Sequence, residues 1–228
     1  MNTLAFSIET YSLVTYWLGM AAVAAMAGAA VVESGAKRFD LFGVIVIALA
    51  ASLGGGSLRD MLLARPVFWI ADEIYLLTAI IATTGVFFLS RWWAMPVRTF
   101  LILDAIGLAL FSITGTAAAL SLGTSWLVAS FIGVITGVMG GVFRDVLCNE
   151  EPWVFRSPLF ATASWLGSWL YIWLVAIDVG ALAANLIASS SILCIRFYAL
   201  RKGVKLPQFK EKKRVVDTDI GNNIDTGT

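Results

Sequence analysis

Apolar residues fall in seven long runs, at about residues 9 to 32, 40 to 62, 71 to 90, 98 to 121, 125 to 147, 158 to 178 and 180 to 200. Each is close to the roughly 20 residues a helix needs to cross a hydrocarbon layer about 30 Å thick. The pattern therefore predicts an all-α polytopic membrane protein with seven transmembrane helices. Polar residues gather between the runs, most clearly where Arg91, Trp92, Trp93, Pro96 and Arg98 suit a membrane interface.

Two runs end in residues that an apolar helix should not welcome. The second closes on Gly54-Gly55-Gly56-Ser57-Leu58-Arg59-Asp60, and the fifth on Met139-Gly140-Gly141-Val142-Phe143-Arg144-Asp145, 85 residues later. Ala48, Ser52 and Gly56 likewise stand where Gly133, Gly137 and Gly141 recur at the same offset. Pro66 matches Pro152 with one residue inserted, and Gly19 matches Gly107 at an offset of 88. The chain thus divides into a three-helix repeat over 9 to 90, a second over 98 to 178, a seventh helix at 180 to 200 and a tail from 201 to 228. Because three is odd, the second repeat enters the membrane from the opposite side, which gives a 3+3 inverted repeat whose second and fifth helices meet near the midplane. Glycine costs a helix about 1 kcal/mol per position, so the adjacent glycines predict that both helices are broken there.

Composition excludes a soluble globular domain: the 228 residues are 59% hydrophobic and 14% charged, with mean hydropathy +0.86. The net charge of +1 says little, but seven of the sixteen Lys and Arg lie at or beyond Arg201, which marks a cytoplasmic tail. Seven spans then put the amino terminus outside. Inside loops hold Lys37, Arg38, Arg91, Arg98 and Arg156, whereas outside loops hold only Arg65. No Lys or Arg precedes Lys37, so the first run is expected to be retained as a span and not cleaved. The expected location is a bacterial-type inner membrane. Cys148 and Cys194 are isolated and histidine is absent, so no cofactor is expected; nucleic acid is not an expected partner either. Lys210, Lys212, Lys213 and Arg214 could contact anionic lipid, at about 1 kcal/mol per basic residue. The plainer reading makes them a topology signal ahead of a disordered end.

Four unpaired charges at the bilayer centre, Arg59, Asp60, Arg144 and Asp145, would together cost roughly 10 to 14 kcal/mol. They must be paired or hydrated. Neighbouring residues on a helix point about 100 degrees apart, so partners on other helices are expected, Asp104 of the fourth among them. Broken helices would expose the backbone carbonyls of Gly54, Gly55, Met139 and Gly140, which can replace part of a cation's water shell. Asp60 and Asp145 would sit at the positive end of the next half-helix. The candidate ion path comprises Gly54, Gly55, Gly56, Arg59, Asp60, Asp104, Gly140, Gly141, Arg144, Asp145, Tyr16 and Thr114. Against this stands packing: small residues four apart are the usual faces for close helix contact in membranes, and Thr114, Ser112 and Thr116 can bond back to their own helix. Arg196, in the last helix, is expected to snorkel to the inner surface.

The doubled Gly-Gly-x-x-Arg-Asp motif, Asp40-Leu41-Phe42-Gly43 before its first copy and Asp104-Ala105-Ile106-Gly107-Leu108 opening the fourth helix together carry a family resemblance. The chain resembles a prokaryotic member of the trimeric intracellular cation channel family over about residues 10 to 200. The resemblance implies a homotrimer in a lipid membrane, with one pore per protomer shaped by the second and fifth helices. It implies conduction of potassium and, less selectively, sodium. The chain departs from the family pattern at Tyr16, where an Asp is expected, and at Met139, where a third glycine is expected. Related sequences carry the label of a glycine transporter domain, and a secondary transporter is the rival reading: Arg59 or Arg144 would hold a substrate carboxylate, and Asp60 or Asp145 would relay protons. A scaffold that uses the glycines only for packing is a third. An enzyme is the least expected, because no nucleophile has a base partner.

Overall fold

The computed structural model describes residues 2–37, 39–93, 95–157 and 159–204, and among these there are helices and connections but no strands. The basic tail segment with Lys210, Lys212, Lys213 and Arg214 lies outside the described residues, as does Arg38. The helices are α1 (Asn2–Ser34), α2 (Leu41–Leu62), α3 (Phe68–Ala71), α4 (Ile74–Trp92), α5 (Val97–Ser121), α6 (Trp126–Leu147), α7 (Trp153–Arg156), α8 (Phe160–Ala176) and α9 (Ala181–Lys202). Six of them, α1, α2, α4, α5, α6 and α9, are long and apolar enough to cross a membrane. The other expected span, α8, has 17 residues and would be about 25 Å long.

The repeat is copied at an offset of 85 through α2, the following turn and the short helix after it. Asp40 caps α2 by accepting from the Gly43 N–H at 2.7 Å, and Ser125 caps α6 by accepting from the Val128 N–H at 3.4 Å. Both are residue types whose side-chain oxygen satisfies an otherwise unpaired helix donor. At the other end the Leu63 N–H donates to the Arg59 carbonyl, and the Cys148 N–H to that of Arg144. Arg65 and Glu150 likewise donate to the carbonyls of Asp60 and Asp145, and the chain turns through a left-handed residue at Ala64 (φ 51°) and at Asn149 (φ 54°). The helices α3 and α7 then begin 85 residues apart. No inserted residue is needed, so Pro66 and Pro152 occupy adjacent rather than equivalent places: Pro152 takes the cap position that Val67 takes in the first copy.

The glycines do not break their helices. Both α2 and α6 continue through Gly54–Gly56 and Gly140–Gly141 and end only after the Arg-Asp pairs, which corrects the expectation of broken helices. What the glycines allow is contact between backbones. A Cβ on Gly55 would overlap the Thr136 carbonyl oxygen and reach the Gly140 N at 3.2 Å, and a Cβ on Gly140 would overlap the Ala51 carbonyl oxygen. The intact helices also occupy the carbonyls of Gly54, Gly55, Met139 and Gly140 with their own hydrogen bonds.

The crossing pair is antiparallel. Beyond the end of α6, Cys148 lies against Ser34 at the end of α1, and Glu150 pairs with Lys37 just before α2. At the opposite end Leu63 packs on Ala119, Ala129 and Ile132, where α5 ends and α6 begins. The other small-residue face packs α6 on α5: a Cβ on Gly133 would strike Thr116 and the Ser112 carbonyl, and one on Gly137 would strike Ser112. Around this frame α8 and α9 close the second half through Phe160, Ala163, Tyr171, Ala184, Ala188 and Ile192, all buried.

Gly55→Ala and Gly140→Ala are each expected to destabilise the protein by about 1–3 kcal/mol, the range for forcing atoms into a packed interior. Gly85→Ala on exposed α4, where nothing lies within 4 Å of the new carbon, is expected to be nearly neutral. Thermal melts in detergent distinguish the three.

Candidate functional site

The five candidate charges form two buried clusters, one at each end of the crossing. In the first, at the α2 end, Arg59 and Asp60 are 6% and 0% exposed. They pair with each other: Arg59 Nε donates to Asp60 Oδ1 at 2.7 Å and an Nη to Oδ2 at 3.0 Å. The Asp60 carboxylate also lies 3.1 Å from Arg65 Nε and accepts from the Phe68 N–H, the first residue of α3, at 2.8 Å. The Arg59 guanidinium lies over the Phe68 ring, 5.3 Å from its centre. Charge-assisted bonds of this kind are roughly twice as strong as neutral ones.

The second cluster copies the first and adds a carboxylate. Arg144 Nε donates to Asp145 Oδ1 at 2.9 Å, and the Trp153 N–H, the first of α7, donates to Asp145 Oδ2 at 2.8 Å. From α5, Asp104 accepts from Arg144 Nη1 at 2.8 Å, and the guanidinium lies over Phe100 at 4.7 Å. The three charged residues are 1% exposed or less. The sequence led us to expect partners on other helices. Asp104 is one, but both arginines also close onto their own neighbour in the chain, because their long side chains fold back along the last helical turn.

The other candidates divide. Tyr16 stands near the first cluster, where the second has Asp104, and supplies an aromatic contact in place of an ion pair: its ring packs on Tyr75 at 5.5 Å, and Tyr75 on Phe68 at 4.8 Å. Gly56 lies under the Phe68 ring, whereas Gly141 faces the Arg144 and Asp104 side chains at ordinary contact distance. Thr114 is apart from both clusters and bonds back to the Phe111 carbonyl at 3.3 Å. Ser112 and Thr116 also bond back within α5 and bridge to Ser164 and Ser168 of α8. Arg196 does not reach the surface: it is fully buried, donates to Ser157 Oγ at 2.9 Å and lies over Phe160. Outside the spans, the hydrogen bond between Lys37 and Glu150 raises the ammonium pKa and lowers that of the carboxyl.

Sequence reasoning missed Arg65, Phe100 and the N–H groups of Phe68 and Trp153. The last two carried a signal: aromatic residues stand eight positions after each motif aspartate. Among the described residues no group of carboxylates, cysteines or histidines could hold a metal ion.

Asp60→Ala and Asp145→Ala each leave a buried arginine short of its partner and are expected to cost about 3–5 kcal/mol, the usual penalty for breaking a buried pair. Asp104→Ala is expected to cost clearly less, since Arg144 keeps Asp145. Equal melting temperatures for the Asp104 and Asp145 variants would contradict this ranking.

The family model described as glycine transporter matches the chain twice, over residues 16–91 and 101–176, one match for each three-helix repeat. A UPF0126 membrane protein of Vibrio cholerae is 40% identical over 201 residues, covering 85% of this chain and 82% of that protein. The UPF0126 inner membrane protein YadS of Escherichia coli is 35% identical over 86% of this chain and 97% of its own. Among solved structures, the trimeric intracellular cation channel orthologue of Rhodobacter sphaeroides superposes with a TM-score of 0.80 at 30% identity, over 84% of this chain and 99% of that one. Two copies of the matched domain, in a fold shared with that protein, make this chain a prokaryotic member of the trimeric intracellular cation channel family, which shares the domain described as glycine transporter.

Proposed function

We propose that this protein is a membrane cation channel that conducts potassium and, less selectively, sodium, with one path per protomer beside the crossing of α2 and α6. The observation that carries the reading is the likeness to a cation channel orthologue at 30% identity over nearly all of that chain. The relatives of known structure are channels, not enzymes. The inverted crossing, which sets a charged cluster toward each end of α2 and α6, is compatible with the reading, since a channel needs only weak cation sites along its path. The working form is a homotrimer in a lipid bilayer, with α8 as the seventh span, the amino terminus outside and the tail cytoplasmic, where Lys210, Lys212, Lys213 and Arg214 meet anionic headgroups.

The transporter reading has less support at the site. Arg59 and Arg144 are each already held by a carboxylate, so neither offers a free guanidinium to a substrate carboxylate.

Purified protein in planar bilayers is expected to give unitary currents whose reversal potential follows the potassium gradient. Saturable uptake of a small solute without unitary currents would reject the channel and favour the transporter.

A further inference from the structure

Among the described residues the buried charged side chains are three arginines, Arg59, Arg144 and Arg196, and three aspartates, Asp60, Asp104 and Asp145. In the first half Arg59 and Asp60 close on each other. In the second, Arg144 meets two carboxylates, Asp104 and Asp145, so the cluster built by α5 and α6 holds one negative charge in excess. An uncompensated charge kept out of water is strongly destabilising. The buried charge of opposite sign is Arg196, on α9.

The packing sets Arg196 at the level of Asp104. Arg196 Nη1 donates to Ser157 Oγ at 2.9 Å, and the guanidinium lies 4.4 Å from the centre of the Phe160 ring at the start of α8. Phe100, in the first turn of α5, packs on Trp153 at the start of α7 with ring centres 5.5 Å apart. The start of α5 and the last turns of α9 therefore lie at the same end of the molecule, and the two helices run in opposite directions. Leu108 stands one turn after Asp104 and Ile192 one turn before Arg196, and both belong to the buried cluster that includes Phe160. One turn from that shared level, toward the same end, are Asp104 on α5 and Arg196 on α9. The charge of Asp104 acts on the Arg196 guanidinium.

The first repeat has no need of such a helix. Tyr16 takes the place of Asp104 and brings no extra carboxylate. Ser157, which closes α7 and takes the hydrogen bond of Arg196, has Asp72 at the end of α3 as its counterpart, and Asp72 accepts from the Tyr16 hydroxyl. The first repeat thus ties this link to its own first helix, whereas the second ties it to α9. Two departures from the inverted repeat, the added carboxylate and the added helix, offset each other.

We infer that Arg196 is the buried countercharge of Asp104: the seventh helix, which lies outside the repeat, supplies the positive charge that the extra carboxylate of the second cluster requires. The assignment holds for a channel, a transporter or a scaffold alike.

Thermal melts in detergent of Asp104→Asn, Arg196→Met and the double variant test it. Asparagine keeps the shape of aspartate, and methionine is an unbranched, adaptable filler without the charge. Each single substitution leaves one buried charge uncompensated and is expected to lower the melting temperature. The double variant leaves none, and its loss is expected to fall short of the two single losses together by at least about 3 °C. Asp60→Asn, at the far end of the crossing, is expected to give a loss that simply adds to that of Arg196→Met. An arginine that only packs on Phe160 and bonds Ser157 would give additive losses with Asp104→Asn too, and that result, or equal coupling to Asp60→Asn, would overturn the assignment. Should a single variant fail to fold, the double variant is expected to fold and to run as one peak in size-exclusion chromatography. A double variant that also fails to fold would overturn the assignment as well.

Discussion

Where α2 meets α6, nothing but backbone separates the two helices, and every other placement follows from that approach. Gly55 against the Thr136 carbonyl and Gly140 against that of Ala51 hold the two inverted halves backbone to backbone, with no room for a side chain between them. In a lipid surrounding, where no hydrophobic force draws helices together, van der Waals packing at small residues is the main attraction available. The crossing puts both helices' apolar outer faces toward lipid and leaves their last turns, with the Arg-Asp pairs, at opposite ends. The charges are thereby separated along the crossing and do not crowd at its centre.

Each buried arginine is neutralised by geometry that the turn after the helix imposes. The left-handed residues Ala64 and Asn149 bring the chain back over the helix end, so that the N–H of Phe68 or Trp153 points at the carboxylate below. Asp60 and Asp145 therefore each serve two masters, a guanidinium and a helix start. The aromatic rings that cover the arginines, Phe68 and Phe100, come from different elements in the two halves, α3 in one and α5 in the other. Symmetry is kept in the backbone and relaxed in the side chains.

Most of the architecture was legible in the sequence because it is written as period and offset. Apolar runs give the long helices, the 85-residue spacing of Gly-Gly-x-x-Arg-Asp gives the repeat, and small residues four apart give the faces. Three things were not legible. Adjacent glycines signal a break only when nothing rewards continuity, and here the close approach of a second helix, invisible in one segment's composition, keeps α2 and α6 whole. The pairing of Arg59 with Asp60 depends on side-chain rotamers, which spacing does not encode. Arg196 was read as an interfacial residue from its place near the helix end, but Ser157 and Phe160, on the connection before α8 and at its start, fold over it and bury it. The same limit applies to Thr114, where the choice between a wet face and the helix's own carbonyl is decided by neighbours that only the fold supplies.

The partners of the buried charges have a consequence for biogenesis. Asp60 finds Arg59, Arg65 and the Phe68 N–H within nine residues of itself, and Arg144 finds Asp145 and Asp104 inside the second repeat. Among the described residues, neither Arg-Asp pair takes its carboxylate from the other half. Each three-helix unit can therefore leave the insertion machinery with its buried Arg-Asp pair already formed, and what needs both halves present is the glycine crossing and the exposed Lys37–Glu150 pair. The buried charges are thus satisfied by short-range partners inside each unit, and steric fit between backbones is what joins the two.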